Sequence, residues 1–271
     1  MSVPPLTWLY VPADRPDRVE KALGSAAHAV IVDLEDGVAA AAKAEARANL
    51  PALLGGRLGK PMYVRVNAGV PADLEAVAEL DLAGVVVPKV AGPEGVPALS
   101  HRVHCLIESA AGVEAAYAIA SDPRVAGISL GESDLRSETG ALEAGLDWAR
   151  GRVVNAAVAA GLPRPPQSVY PHVRDQEGLA RSCARGRELG HLGRAAIHPD
   201  QLPVIEQAYL PTEAEVDRAR ATVDRLEAAG AGTLGGGEFV DAAMLGAARQ
   251  LIAIAAAYGT STRPRPSPRR D

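Results

Sequence analysis

The sequence predicts an α/β protein, a parallel (β/α)8 TIM barrel followed by a C-terminal helical extension. Short β-branched runs alternate with Ala-rich helical patterns from residue 7 to residue 209, and several of the runs are continuously apolar. Continuous apolarity is typical of parallel strands that are buried on both faces. A chain of 271 residues is long enough for one such barrel. A doubly wound open sheet is the alternative, but no G-x-G-x-x-G follows the first strand to support it.

These runs predict eight strands in chain order. The strand predictions are "TWLYVP" (7–12), "AVIVDL" (29–34), "MYVRVN" (62–67), "GVVVPK" (84–89), "RVHCLIE" (102–108), "VAGISLG" (125–131), "QSVYPH" (167–172) and "RAAIHP" (194–199). Helical patterns separate most of them, for example "RPDRVEKALGSA" and "DQEGLARSCARGRELG". The eighth unit ends with the helical pattern "DQLPVIEQAYL", so the barrel is predicted over residues 1–210.

The segment 211–259 is predicted to be the helical extension. "PTEAEVDRARATVDRLEAAG" begins with residues typical of a helix N-terminus, and "AAMLGAARQLIAIAAAYG" is a final apolar helix. Between them, the glycines of "AGTLGGGEFVD" predict a flexible hinge or lid. Residues 260–271 are rich in Pro and Arg and are predicted to be a disordered tail.

Composition excludes several classes of function. The formal net charge of −5 argues against a general nucleic-acid binder, and 3% aromatic residues leave few stacking platforms. No basic region followed by a long apolar run indicates a signal peptide, and no apolar stretch is long enough to span a membrane. We therefore expect a cytoplasmic protein in which Cys105 and Cys183 are reduced, buried thiols.

Most of the notable polar residues follow the predicted strands, where the active site of a barrel enzyme lies. They are Asp33, Glu35 and Asp36 after strand two, Arg65 and Asn67 on strand three, Lys89, Glu108, Glu132, Asp134 and His198. Three carboxylates within four positions repel one another unless a cation or an arginine compensates. Their joint placement predicts a polar site at the mouth of the barrel.

Glu108 and Asp134 follow neighbouring strands and are the candidate metal ligands. Two converging carboxylates suit Mg²⁺, which takes oxygen ligands and keeps positions for water or substrate. The alternative is that the two act separately, Glu108 near a helix start and Asp134 satisfying backbone N–H groups in a loop. The histidines suggest no zinc site, because there is no H-E-x-x-H motif.

The basic residues leave alternatives open. Arg65, in the middle of a strand pattern, suits a substrate carboxylate, or a fixed ion pair with Asp33 or Glu35, or both. Arg15 is expected either to reach the mouth of the barrel or to lie in solvent at the start of a helix. Lys89 ends a strand, where a Schiff-base aldolase would place its lysine, or it pairs with a carboxylate.

Taken together, the sequence resembles the citrate lyase beta-subunit-like family within the HpcH/HpaI aldolase superfamily. The matching stretches are "LYVPADRPDRVEKA", "VIVDLEDGV", "KAEAR", "VRVNA", "VVPKV", "LIESAAGV", "GISLGESDL", "IHPDQL" and "FVD", in family order. The set is specific because of its order, which extends over residues 8–250. A departure is Gly193-Arg194 before "IHP", where many relatives have Gly-Lys.

The resemblance implies a TIM barrel that binds Mg²⁺ and a 2-oxo acid. The family's metal ligands fall on Glu108 and Asp134, its carboxylate-binding arginine on Arg65, and its acidic motif on Asp33 to Asp36. The substrate-binding set that we predict comprises Arg15, Arg65, Glu108, Gly131, Glu132, Ser133 and Asp134, and the catalytic set comprises Glu35, Asp36, Arg65 and Asp241. In relatives acting on malyl-type thioesters, the residue at the position of Asp241 is offered across a subunit contact; Asp241 also suits the N-cap of the final helix.

The activity implied is cleavage of a 3-hydroxyacyl thioester, such as citryl-, malyl- or citramalyl-CoA. The products are an acetyl thioester and a 2-oxo acid: oxaloacetate, glyoxylate or pyruvate. Alternatives are a malate synthase-like thioester hydrolase, a Schiff-base aldolase through Lys89, and a 2-oxo-acid-binding subunit of a citrate lyase complex with alpha and gamma subunits. The final helix and Asp241 favour a homo-oligomer, a trimer or hexamer.

Overall fold

The structure is a computed structural model that describes residues 3–56, 59–235 and 237–261. The described residues group into two compact units: Pro5–Ile205, and the chain from Glu206 to residue 261 together with Val3 and Pro4. The predicted disordered tail lies, from residue 262 onward, outside the described residues. Across the described ranges, no helix is long and apolar enough to cross a membrane.

The first unit contains seven strands and the helices that connect them. The strands are β1 (Thr7–Pro12), β2 (Ala29–Asp33), β3 (Met62–Arg65), β4 (Gly84–Val87), β5 (Val103–Ile107), β6 (Val125–Leu130) and β7 (Arg194–Ala196). The helices are α1 (Pro16–Leu23), α2 (Lys43–Leu54), α3 (Pro71–Val77), α4 (Ala110–Glu114), α5 (Ala116–Ala120), α6 (Glu132–Thr139), α7 (Asp147–Ala159) and α8 (Gln176–Glu188). Helix α9 (Leu202–Tyr209) begins in this unit and ends in the second.

All seven strands belong to one parallel sheet with the order β6-β5-β4-β3-β2-β1-β7. Strands that follow each other in sequence lie side by side, as successive βα units require. Because β7 pairs with β1, the sheet curls round toward closure as in a TIM barrel. The predicted fold class is confirmed, and all carboxyl ends of the strands open at one end of the sheet.

The predicted strand over residues 167–172 is wrong in extent. Only Gln167 pairs with the sheet, through a single parallel bridge to Arg194. Proline precedes it at residues 165 and 166 and follows at residue 171. Proline lacks the N–H that a sheet ladder needs, so this position of the barrel is reduced to one residue.

Helix α6 was not among the predicted elements, and Asp134 therefore lies on a helix rather than in a loop. The segment "ESDLRSET" has a weak apolar pattern, which is why its periodicity does not predict a helix. The helix begins immediately after Gly131, so that Glu132 and Asp134 both lie in its first turn. Negative side chains are favourable at this end of a helix dipole.

The inside of the sheet is lined by an apolar cluster. Buried members from five strands are Trp8, Ala29, Ile31, Val86, Leu106 and Ala195. Two of these are alanines, and Tyr10, Tyr63 and Val169 pack against the cluster. Cys105 and Cys183 are buried free thiols, as predicted.

The second unit contains α10 (Glu213–Ala229), α11 (Leu245–Tyr258) and a short antiparallel pair, β8 (Gly232–Thr233) and β9 (Phe239–Val240). Helix α10 begins with a capping box between Thr212 and Glu215. The glycine-rich segment predicted as a flexible hinge contains the strands of this hairpin, in which Leu234 N–H donates to the Glu238 carbonyl oxygen (2.9 Å). Its predicted role as a lid stays a prediction.

Candidate active site

The carboxyl ends of the strands surround one cavity of about 410 Å³ within the first unit. This volume falls in the range of about 300–1,000 Å³ that is typical of small-molecule sites. Eight of the predicted site residues line it: Asp33, Asp36, Arg65, Glu108, Gly131, Glu132, Ser133 and Asp134. The sequence-based placement of the polar residues at strand ends therefore does bring them together.

Asp33 is fully occupied by partners. Its carboxylate accepts the backbone N–H groups of Glu35 (2.9 Å) and Gly37 (2.8 Å), which shapes the turn after β2. Arg65 also donates to it from Nε and from Nη2, both at 2.7 Å. Asp33 therefore holds the turn and orients Arg65, and it has little capacity left for substrate.

Glu35 is buried and lies between two cations. Its Oε2 is 2.8 Å from Arg65 Nη1, and Lys89 Nζ donates to its Oε1 at 2.5 Å. It is not part of the cavity wall, whereas Asp36 is. Of the two carboxylates that the sequence left equivalent, Asp36 is the one that faces the cavity.

Lys89 pairs with a carboxylate, which was one of its two predicted roles. Its backbone has a φ of 58°, a left-handed conformation that is uncommon for a residue other than glycine. The hydrogen bond and charge of Glu35 raise the pKa of Lys89. A Schiff-base lysine must lose its proton to attack a carbonyl, so this environment argues against imine chemistry.

Arg65 has the structural role predicted for it, as an ion-pair partner of Asp33 and Glu35, and its role toward a substrate carboxylate stays a prediction. Burial alone would lower its pKa, but the hydrogen bonds and charge of Asp33 outweigh burial and raise it, so the group stays charged. The guanidinium lies 5.0 Å from the Tyr10 ring centroid. A guanidinium has five N–H groups, and the contacts to Asp33 and Glu35 use three, which leaves two for a ligand.

Glu108 is a buried carboxyl group that forms no ion pair with the described residues, and the charge of Arg65 offsets only part of the rise in its pKa. Its Oε2 has no hydrogen-bond partner among the described residues. Burial, together with the charges of Glu35 and Asp134 and a hydrogen bond with Asp134, raises the pKa of Glu108 to about 8. A Cβ atom on Gly131 would lie 2.5 Å from Glu108 Cγ, so only glycine leaves room for this side chain.

Helix α6 brings Asp134 to Glu108, and a buried ion pair holds the start of the helix. Arg150 donates from Nε and Nη2 to the two Glu132 carboxylate oxygens at 2.8 and 2.7 Å. Both partners are buried. Although Glu132 touches the cavity, its carboxylate is committed to Arg150, while Asp134 is exposed at the mouth.

The Glu108 and Asp134 pair fits a magnesium ion. The unpartnered buried oxygen and the raised pKa both indicate a place where a cation would relieve repulsion between carboxylates. Within the described residues, no group of three or more His, Cys, Asp or Glu side chains is arranged to hold a metal. Mg²⁺ is commonly bound through one or two carboxylates with water and substrate completing its octahedron, so two suffice.

Two predicted residues lie outside the cavity wall. Arg15 precedes α1, is largely exposed and pairs with Asp17 at 3.3 Å; Arg18, one turn further, lines the cavity instead. Asp241 lies in the second unit, where its carboxylate accepts the Ala243 N–H (3.0 Å) at the start of the final helical segment. Its N-cap role is therefore observed, and its catalytic role stays a prediction.

Sequence reasoning missed the lower part of the cavity. Trp8, Tyr10, His104 and Ser129 line it below the charged residues. His104 Nε2 lies 2.8 Å from Ser129 Oγ, and burial lowers the pKa of His104 to about 4. The signal was the two-residue period of a strand, which places residue 104 on the same face as Glu108.

Comparison with known proteins agrees with this geometry. The family model described as HpcH/HpaI aldolase/citrate lyase matches residues 6–199. A (3S)-malyl-CoA thioesterase from Cereibacter sphaeroides is 36% identical over 243 residues, 82% of each chain. A citrate lyase subunit beta-like protein from Mycobacterium tuberculosis is 37% identical over 228 residues, 79% of this chain and 82% of that protein.

A solved structure resembles the whole arrangement. It is the crystal structure of the protein CitE from Mycobacterium tuberculosis in complex with magnesium, acetoacetate and coenzyme A, with a TM-score of 0.79 and 32% sequence identity. The match covers 94% of this chain and 99% of that one. The barrel, the paired carboxylates at its mouth and these relationships together show that the chain belongs to the HpcH/HpaI aldolase/citrate lyase family.

Proposed function

We propose that the protein is a Mg²⁺-dependent carbon–carbon lyase that cleaves a 3-hydroxyacyl thioester into an acetyl thioester and a 2-oxo acid. The observation that carries the proposal is the buried Glu108 carboxyl group, unpartnered at Oε2 and facing Asp134 beside Arg65. Relatives named malyl-CoA thioesterase and citrate lyase beta-like protein, and a structural neighbour with magnesium, acetoacetate and coenzyme A, support it.

The residues divide the work of binding. Glu108 and Asp134 would hold Mg²⁺, and the two unused N–H groups of Arg65 would hold a substrate carboxylate. When bound, Mg²⁺ supplies Lewis-acid stabilisation of the negative charge that develops on the substrate hydroxyl oxygen. Asp33 and Glu35 keep Arg65 oriented, so the anion subsite is formed before substrate arrives.

The proton transfers are assigned to two carboxylates. Asp36, an acidic-motif residue that lines the cavity, accepts the proton of the substrate hydroxyl as the carbon–carbon bond breaks. The electron pair of that bond passes to the acetyl thioester as an enolate, whose carbon takes a proton from protonated Asp241. Asp36 then releases its proton to solvent and Asp241 takes one up, so that the cycle balances. We propose that Asp241 donates its proton to the enolate carbon across a contact between copies of the chain, in a homotrimer or hexamer.

A second candidate is thioester hydrolysis by the same site, and the thioesterase relative is the observation that favours it. Water would then attack the thioester carbonyl carbon and break its C–S bond, which releases free coenzyme A and the 3-hydroxy acid. A binding role as the beta subunit of a citrate lyase complex, with alpha and gamma subunits and a carrier-bound thioester, is the third possibility.

The first experiment offers citryl-, malyl- and citramalyl-CoA to the purified protein with Mg²⁺ and with excess EDTA. The lyase proposal predicts release of acetyl-CoA and a 2-oxo acid from at least one thioester, abolished by EDTA. Release of free coenzyme A without acetyl-CoA would identify the thioesterase instead. No turnover under either condition would contradict a stand-alone enzyme and favour the complex.

A further inference from the structure

The cavity is much deeper than the carboxylate pair needs. His104 and Leu106 on β5, and Glu108 directly after it, alternate along the chain and all line this cavity. At about 3.3 Å per residue, His104 lies about 13 Å below Glu108 along the strand. The cavity therefore continues from the charged mouth into the barrel interior. We call the interior part the lower chamber; it is lined by Trp8, Ile31, Val86, His104, Leu106, Ser129 and Ala195.

The walls of the lower chamber are apolar. Ile31, Val86, Leu106 and Ala195 come from four strands and face it. All four side chains belong to the buried cluster inside the sheet. Methyl and methylene groups of a ligand would be removed from water here, which favours binding with each added carbon.

The floor of the lower chamber is polar but uncharged. Trp8 and His104 are in ring contact at 5.5 Å between centroids, and Ser129 lies beside His104. Because burial lowers the pKa of His104 to about 4, its ring is neutral near pH 7. No Lys or Arg among the described residues lines the chamber at this depth; Arg65 lies at the strand ends and is already bound to Asp33.

We propose that the lower chamber receives the side chain of the 2-oxo acid and selects an uncharged alkyl substituent over a second carboxylate. A carboxylate placed there would lose its water without gaining a cation, which is strongly unfavourable. An ethyl group would instead contact Leu106 and Ala195. This inference rests on the proposed function and narrows its substrate class to thioesters that yield pyruvate- or 2-oxobutyrate-like acids rather than oxaloacetate.

The test is a binding series, measured by isothermal titration calorimetry with Mg²⁺ present. The ligands are glyoxylate, pyruvate, 2-oxobutyrate and oxaloacetate. We expect affinity to rise about threefold or more with each added carbon from glyoxylate to 2-oxobutyrate. Oxaloacetate is expected to bind at least tenfold more weakly than 2-oxobutyrate.

Two variants test whether the lower chamber causes the preference for 2-oxobutyrate. Ala195→Leu fills it, and should abolish the advantage of 2-oxobutyrate while changing glyoxylate affinity less than twofold. The matched control is Ala126→Leu, the same change on β6 at a position that does not line the cavity. Leu106→Ala enlarges the chamber and should shift the preference to 2-oxovalerate, a gain that misfolding cannot imitate.

Tryptophan fluorescence tests independently where the 2-oxo acid binds. Trp8 lies at the floor, and Trp148 is 61% exposed on α7, so a Trp148→Phe background reports Trp8 alone. Its emission should change with 2-oxobutyrate more than with glyoxylate. Tightest binding of oxaloacetate, unaffected by Ala195→Leu and Leu106→Ala, would overturn the inference and leave the proposed function standing. Absence of Mg²⁺-dependent binding of every acid would overturn both.

Discussion

At the scale of single residues, two buried glutamates of one cavity have opposite electrostatic situations. Glu132 is neutralised by two hydrogen bonds from Arg150, whereas Glu108 has an unpartnered oxygen and a neighbouring carboxylate. A carboxylate with a bidentate partner stabilises its surroundings, and one without a cation destabilises them until a metal binds. The pair thus separates a structural acid from a functional one.

Substitution of the two glutamates by glutamine should therefore act in opposite directions. Without Mg²⁺ at pH 8, Glu108→Gln removes buried repulsion and should raise the free energy of unfolding by about 2 kcal/mol. Glu132→Gln removes the bidentate and most buried partner of Arg150, which then keeps only Glu143 and Asp147 among its described partners, and should lower it by about 3 kcal/mol. Urea unfolding measures both. Calorimetry should show Mg²⁺ affinity reduced at least 100-fold in Glu108→Gln; equal destabilisation by the two variants would contradict these roles.

The raised pKa of Glu108 also predicts how stability and metal affinity depend on pH. The folded-state pKa of about 8 lies above the unfolded value of about 4.5, so between these values the native state holds the extra proton. Without metal, the contribution of Glu108 to the free energy of unfolding is largest below pH 4.5 and is lost as the pH rises toward 8. Mg²⁺ must displace that proton, so its affinity should rise up to tenfold per pH unit from pH 6 to pH 8.

The check is magnesium titration at several pH values in buffers of different ionisation enthalpy. Binding at pH 7 should release nearly one proton per metal ion, as calorimetry in two such buffers reports. The Glu108→Gln variant is the control and should show no such release. A pH-independent affinity with no proton release would show that Glu108 is already ionised in the metal-free protein.

At the scale of elements, the junction between β6 and α6 controls the metal pair. Gly131 ends the strand, gives Glu108 its space, and is followed at once by the helix that carries Asp134. The sequence predicts the strand and the acidic residues after it. It does not predict the helix, because that short polar segment is held by the Glu132–Arg150 pair across 18 positions of the chain.

Gly131→Ala should disable the metal site with little effect on the fold. The backbone φ of −95° at Gly131 is allowed for alanine, so the penalty is the approach of Cβ to Glu108 Cγ at 2.5 Å and Oε1 at 2.8 Å. We expect at least a tenfold loss of Mg²⁺ affinity with unchanged far-UV circular dichroism. Gly151→Ala, inside α7 with no atom within 4 Å of the new Cβ, is the control and should bind Mg²⁺ normally.

Contacts between residues that are far apart in the sequence also explain the other differences from the sequence prediction. Which of Glu35 and Asp36 faces the cavity depends on Lys89, which comes from a different strand end. The seventh predicted strand is reduced to Gln167, because the prolines that flank it remove ladder donors. Local patterns predict the elements and the positions of chemically active residues. The pairings between distant residues decide which of those residues meet substrate.

At the scale of the whole molecule, the chain carries the proposed metal-binding pair in one compact unit and Asp241 in the other. Asp241 is the N-cap of the final helical segment, and asparagine caps a helix about as well as aspartate. Asp241→Asn should therefore leave stability and Mg²⁺ affinity unchanged while lowering kcat at least 100-fold, as expected for the loss of a proton donor.

A mixture of inactive variants tests whether Asp241 acts across a contact between copies. Asp241→Asn and Glu108→Gln are each expected to be inactive alone. If each site takes Asp241 from another copy, co-refolded equal mixtures should recover about a quarter of the activity, from sites that combine the intact residue of each variant. A mixture as inactive as its components would place both residues of one site on the same chain.

The side chains that determine ligand preference in the lower chamber also stabilise the fold. Its walls are side chains such as Leu106 and Val86 that also form the apolar interior of the barrel. A change that reshapes the chamber removes or adds volume in that interior, and deleting a buried leucine costs about 2–5 kcal/mol in typical cores. A change of substrate side-chain preference in this barrel is therefore expected to need compensating stabilising substitutions elsewhere. Evolution of new specificity in this barrel is limited by thermodynamic stability as much as by catalysis.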